Sequence, residues 1–167
     1  MADEDEGGAL WRFALAVYRK PGVSDACLLL QDRHGCNVTL LLFAAWAGAE
    51  CQVALTVEEF TAASDAVRAW HGEVVKPLRA VRRRLKHGPP PAPDTATGKL
   101  RARLQAVEID AERIELETLA GFLPSRQDQD KAKAAATEAN LALAAPHAGD
   151  IESSGALQTI TDAALSP

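Results

Sequence analysis

The sequence predicts an all-α protein, three short helices packed on a long antiparallel helical hairpin. Three observations predict it. No stretch alternates apolar and polar residues between turn signals, as a half-buried strand does. Apolar residues recur instead at the spacing of one helix face through residues 8–120. Pro and Gly punctuate that pattern at Pro21-Gly22, at Gly35, over residues 88–93 and over residues 121–124.

The first helix is expected over residues 8–19. Leu10, Phe13, Ala14, Val17 and Tyr18 share a face there, with Trp11 at its edge. Pro21 cannot continue the hydrogen-bond ladder and ends it. Ser24 or Asp25 can cap a second helix to about Arg33. Gly35 is placed as its C′ residue, and Asn37 as the cap of a third helix over residues 38–48. That helix is apolar nearly all round, so it is the expected centre of the fold.

A loop follows over residues 50–55. Thr56 and Glu59 form a capping box. The next helix is expected to run to about Lys86, with Phe60, Val67, Val74 and Val81 repeating by seven and a kink near Gly72 and Pro77. After the Pro-rich break, Thr97 or Asp94 caps a partner helix over residues 98–120. Leu100, Val107 and Ile114 repeat there, with Leu104 and Ala111 between them.

The three Trp, one Tyr and four Phe all lie between Trp11 and Phe122. The core is therefore expected to end near Phe122. The domain reading follows: residues 1–7 an acidic disordered start, 8–123 the helical domain, and 124–167 a flexible Ala-rich tail with marginal helix.

The acidic, polar beginning Met-Ala-Asp-Glu-Asp-Glu lacks the basic and apolar parts of a secretory signal. The longest apolar run, residues 38–49, stops at Glu50, well short of the roughly 20 residues of a membrane span. Three cysteines, an odd number, argue for reduced thiols. Together these predict a cytoplasmic protein without a transmembrane segment.

Net charge is −5 and unevenly spread. Residues 65–103 hold ten Lys or Arg against three Asp or Glu, a local +7 that leaves −12 for the rest. A basic middle between acidic ends permits an anionic partner.

The residues Trp11 to Tyr18, Pro21-Gly22-Val23, Ala26-Cys27-Leu28, Leu30-Gln31-Asp32, Gly35 and Val38 to Phe43 resemble a bacterial family of small helical proteins described only as a domain of unknown function. The resemblance covers about residues 10–46 and, more loosely, the chain to 122. Where that family has Asp-Val-Asn after its Gly-x pair, this chain has Asn37-Val38-Thr39. The resemblance implies a helical, bacterial, cytoplasmic protein and brings no catalytic residues with it.

Several side chains have chemistry. Asp32, His34 and Cys36 straddle the Gly35 turn and could supply three metal ligands, but no CxxC or HxxxH stands elsewhere to complete a tetrahedral site. A Cys–His nucleophile pair, Cys36 with His34 or His71, lacks any hydrolase signature. Cys27 reads as a small buried hydrophobe. His71, on an apolar stripe, needs a buried partner. Gln31, Asp32, His34 and His71 are therefore the candidate ligand pocket.

Arg79, Arg82, Arg83, Arg84 and Lys86, with Arg101 and Arg103 across the loop, form a candidate anionic-partner patch. Glu108, Asp110, Glu112, Glu115 and Glu117 read as a solvated face pairing with that basic helix. No cofactor is expected. The functional expectation is a non-enzymatic protein-interaction or accessory module, with another protein as partner and a homo-oligomer as one form of it. Two alternatives stand beside it: a small-molecule or metal-binding protein with its pocket near residues 31–37 and His71, and nucleic-acid binding at the hairpin tip.

Overall fold

A computed structural model describes residues 3–166, with side chains described from Gly8 onward. It contains α1 (Asp3–Tyr18), α2 (Val23–His34), α3 (Val38–Ala49), α4 (Val57–Trp70), a π-helical turn (His71–Val75), α5 (Lys76–Arg84), α6 (Thr95–Ala120), α7 (Lys133–Ala144) and α8 (Ile151–Leu165). The described residues contain no strand, and the fold is all-α. α1 begins at Asp3, before the expected residue 8. Residues 1 and 2 of the expected disordered start lie outside the described residues.

The corners obey their local chemistry. Gly22 and Gly35 take left-handed φ of 80° and 67°, which L side chains rarely adopt. Asn37 caps α3 by accepting from the Thr39 N–H at 3.0 Å. Thr56 and Glu59 form both halves of the capping box on α4. Asp94 and Thr97, alternatives in the sequence, act together: each accepts the other's backbone N–H, at 2.7 and 2.8 Å.

Helix α3 is the hub. Thr39 to Ala49 are all buried, and α1, α2, α6, α7 and α8 all pack on it. Burying a helix all round leaves no polar face to spare, which is why its sequence is apolar nearly throughout.

Residues 124–167 differ from expectation. They form α7 and α8, and both are built into the core. Leu141 and Ile160 belong to the same buried cluster as Phe43 and Leu30. α7 crosses α3 so closely that a Cβ at Gly48 would meet the Thr137 backbone at 2.5 Å. Buried Asn140 ties α7 to α3 and to the loop that follows α3: it donates to Ala44 O (3.2 Å) and Val53 O (2.8 Å) and accepts from the Leu55 N–H (2.8 Å). Lys20 closes the end of α8, donating to Ala163 O and Ser166 O at 2.9 Å. The packing of this segment uses Ala, Thr and Asn, which let backbones approach but leave no large apolar stripe in the sequence.

The expected kink takes the form of the π-turn. Pro77 has no N–H to give and its ring crowds the carbonyl four residues back. A wider turn just before it relieves both, and the Lys76 N–H reaches five residues back to His71 O. α4, the π-turn and α5 all contact α6.

Candidate functional site

The π-turn, the Asn37 corner and α6 meet at Glu115, which is 1% exposed. Its Oε2 lies 3.1 Å from His71 Nδ1, within hydrogen-bond distance. Its Oε1 accepts from Thr39 Oγ1 at 2.6 Å and from Asn37 Nδ2. A buried carboxylate is tolerated only with such partners. His71 thus finds the buried partner it needs in Glu115.

One helical turn away lies a second polar group. Arg79 donates through Nε to Glu108 (2.9 Å), through Nη2 to Glu112 (2.6 Å) and through Nη1 to Gln31 Oε1 (2.6 Å). Arg82 donates to both oxygens of Glu108. Burial pushes the Glu108 carboxyl up, but the bonds from Arg82 and Arg79 outweigh it and hold it below its usual range. At Glu112 burial wins over Arg79, and the carboxyl is raised. Both arginines are held more firmly protonated by these carboxylates, against the opposing effect of burial.

Beside this cluster a cavity of about 260 Å³ opens between α1, α2, α3, α5 and α6. Trp11, Leu15, Leu42, Ile109 and Leu116 form its apolar wall, and Gln31, Arg79 and Glu112 its polar one. Tyr18 stands at its edge, its hydroxyl pKa raised first by burial. The Trp11 ring is covered by the Arg113 guanidinium at 5.6 Å, a cation–π contact.

The other candidates are placed apart. Asp32 faces outward to Arg83 at 3.4 Å. His34 Nε2 lies 2.7 Å from Ser153 Oγ and 3.3 Å from Asp150 Oδ2, at the cap of α8. Cys36 is buried, and burial raises its thiol pKa. Cys27 is wholly buried and is pushed up to about 12 by desolvation. Among the described residues no three His, Cys, Asp or Glu side chains are grouped to hold a metal ion. Of the four pocket candidates only Gln31 lines the cavity.

The basic patch is divided too. Arg79 and Arg82 turn inward to carboxylates, Arg83 faces Asp32, and Arg84, Lys86 and Arg103 are exposed. Arg101 is half-buried, and its Nε is buried without a hydrogen-bond partner among the described residues. Sequence reasoning missed Glu108, Glu112 and Glu115 as interior groups: Glu108 and Glu115 are buried rather than solvated. Their spacing was the available signal. Glu108, Glu112 and Glu115 fall at four- and three-residue steps, one helix face, while Asp110 and Glu117 point elsewhere.

A further surface is apolar and uncovered. Leu100, Val107 and Ile114 on α6 are 48%, 49% and 48% exposed, at seven-residue spacing. Trp70 and Val81, on α4 and α5, are also exposed. Trp70 lies against α6, its indole N–H donating to Ala111 O at 3.0 Å.

No curated protein and no solved structure matches the chain. The family described as "Protein of unknown function (DUF2390)" matches residues 9–119, from the start of the α1 core through nearly all of α6. The chain belongs to the DUF2390 family of proteins of unknown function.

Proposed function

We propose that this protein is a non-enzymatic, cytoplasmic protein-interaction module, and that it binds through the apolar row of α6. The row carries the reading: three large aliphatic side chains at one spacing, each about half exposed. A helix facing only solvent has no energetic use for such a row, whereas a helix that docks does. Three cysteines, an odd number, suit a reducing compartment. The two groups richest in titratable side chains satisfy themselves internally, which favours binding over catalysis.

Val107→Lys tests it. Affinity capture from the native cell is run with wild type and variant in parallel, with circular dichroism to confirm equal helicity. A protein recovered by the wild type and lost with Val107→Lys supports the reading. Equal recovery overturns it.

A second reading is small-molecule binding in the cavity, favoured by an apolar wall meeting Gln31, Arg79 and Glu112 in about 260 Å³. Native mass spectrometry of the purified protein tests that reading. A bound mass that disappears in Leu15→Trp, which fills the cavity, supports it. An unliganded spectrum at every preparation counts against it.

A further inference from the structure

We propose that the face of α6 is covered by a second copy of this chain, the two α6 helices lying antiparallel about a two-fold axis at Val107. This rests on the protein-binding reading of that face.

The apolar row does not set the direction by itself. Its members are alike in kind, so either direction brings aliphatic side chains together along the roughly 21 Å from Leu100 to Ile114. The charged row beside it does set the direction. Arg103, Asp110 and Glu117 also repeat by seven, each three residues after a member of the apolar row. Lys99 stands one turn before Arg103 on the same side. All four are exposed. Among the described residues, Lys99, Arg103 and Asp110 have no ion-pair partner within the chain; Glu117 accepts from Arg113 at 2.9 Å.

Parallel pairing about the same row would set each charged row against the opposite flank of the second α6, where Leu104 and Ala111 stand, and leave those charges without partners. A two-fold axis perpendicular to the helices brings the same flank of each into contact in opposite directions. Leu100 then meets the second copy's Ile114, Arg103 meets Asp110, and Lys99 meets Glu117. Each pairing occurs twice. Apolar contact supplies association, and the charges select the direction, as flanking charges do in helical pairs. The wider asymmetry agrees. The basic end of the hairpin, with Arg84 and Lys86, would lie toward the acidic half of the opposite α6.

Sedimentation equilibrium of the full chain tests the pairing. The wild type is expected to dimerise, and Arg103→Glu and Asp110→Arg each to weaken it at least ~10-fold by setting like charges together. The double variant carrying both changes restores the complementary pairs and should recover wild-type affinity. Val107→Cys should form a disulfide-linked dimer under mild oxidation. Leu100→Cys, and the wild type with Cys27, Cys36 and Cys51, should not.

A wild type that stays monomeric at high micromolar concentration, or a double variant no better than the single ones, overturns the proposal. Crosslinking of Leu100→Cys to itself overturns the antiparallel direction. If the wild type is monomeric yet Val107→Lys still abolishes capture of another protein, the second copy is wrong and the protein-binding reading stands. If neither result holds, both fall.

Discussion

Glu115 sits where three pieces of chain converge, and each brings one or more donors: His71 from the π-turn, Thr39 from α3, Asn37 from the corner before it. Glu115→Ala takes the acceptor from buried His71 and from the Asn37 amide, while Thr39 Oγ1 keeps Asn37 Oδ1 at 2.7 Å. It is expected to lower stability by about 3 kcal/mol, read by urea denaturation, with Glu115→Gln losing less because it keeps one acceptor oxygen. Glu108 and Glu112 make opposite contributions to pH dependence. The Glu108 pKa is depressed in the folded state, so its stabilisation is present at neutral pH and is lost as pH falls through the folded pKa. The Glu112 pKa is raised, so the folded state takes up its proton first and gains relative stability as pH falls toward the ordinary carboxylate range. Glu108→Gln should therefore flatten the acid side of the stability curve, and Glu112→Gln should steepen it. Matching curves for the two variants would contradict that assignment. None of these roles was legible from residue type. Glu108 and Asp110 look alike in the sequence, and only the packing of α5 against α6 separates an interior carboxylate from a surface one.

Helix boundaries were far more legible than side-chain environments. A cap is a local transaction between residues two or three apart, so Asn37, Thr56 and Gly35 announced themselves. Burial in α7 depends instead on a partner about 90 residues away in sequence, as Gly48 and Thr137 show. Their close approach gives a prediction at the element scale. Gly48→Ala places a methyl group against the Thr137 backbone, which cannot rotate aside, and should cost about 3 kcal/mol. The loss should be shared by α3 and α7 together, read as earlier unfolding with one transition. A second, separate transition for residues 133–165 would instead mark the C-terminal helices as an independent unit. The π-turn follows the same division. Pro77 foretold an irregularity, but that the irregularity would position His71 beside Glu115 depended on where α6 lies.

At the scale of the whole molecule, burial is graded from centre to tip. Helix α3 touches five others, whereas α5 has no buried residue at all and holds to α6 through Arg79 and Arg82. Opening α3 requires dismantling the core, while opening α5 requires releasing two arginines from two carboxylates. Native-state hydrogen exchange should therefore show the amides of residues 41–47 exchanging only through global unfolding, and those of α5 through a local opening of much lower free energy. Ion pairs weaken with salt and apolar burial does not. Raising ionic strength should accordingly speed exchange in α5 while leaving α3 unchanged. Equal protection in α3 and α5, or equal salt response, would mean that α5 is part of the same cooperative unit as the core. A graded result would mean that α6, with its uncovered row, packs on the more easily opened element, α5. A partner bound there would then add to the stability of α6 and α5 more than to that of α3, and its arrival should be visible first as slowed exchange at Leu100, Val107 and Ile114.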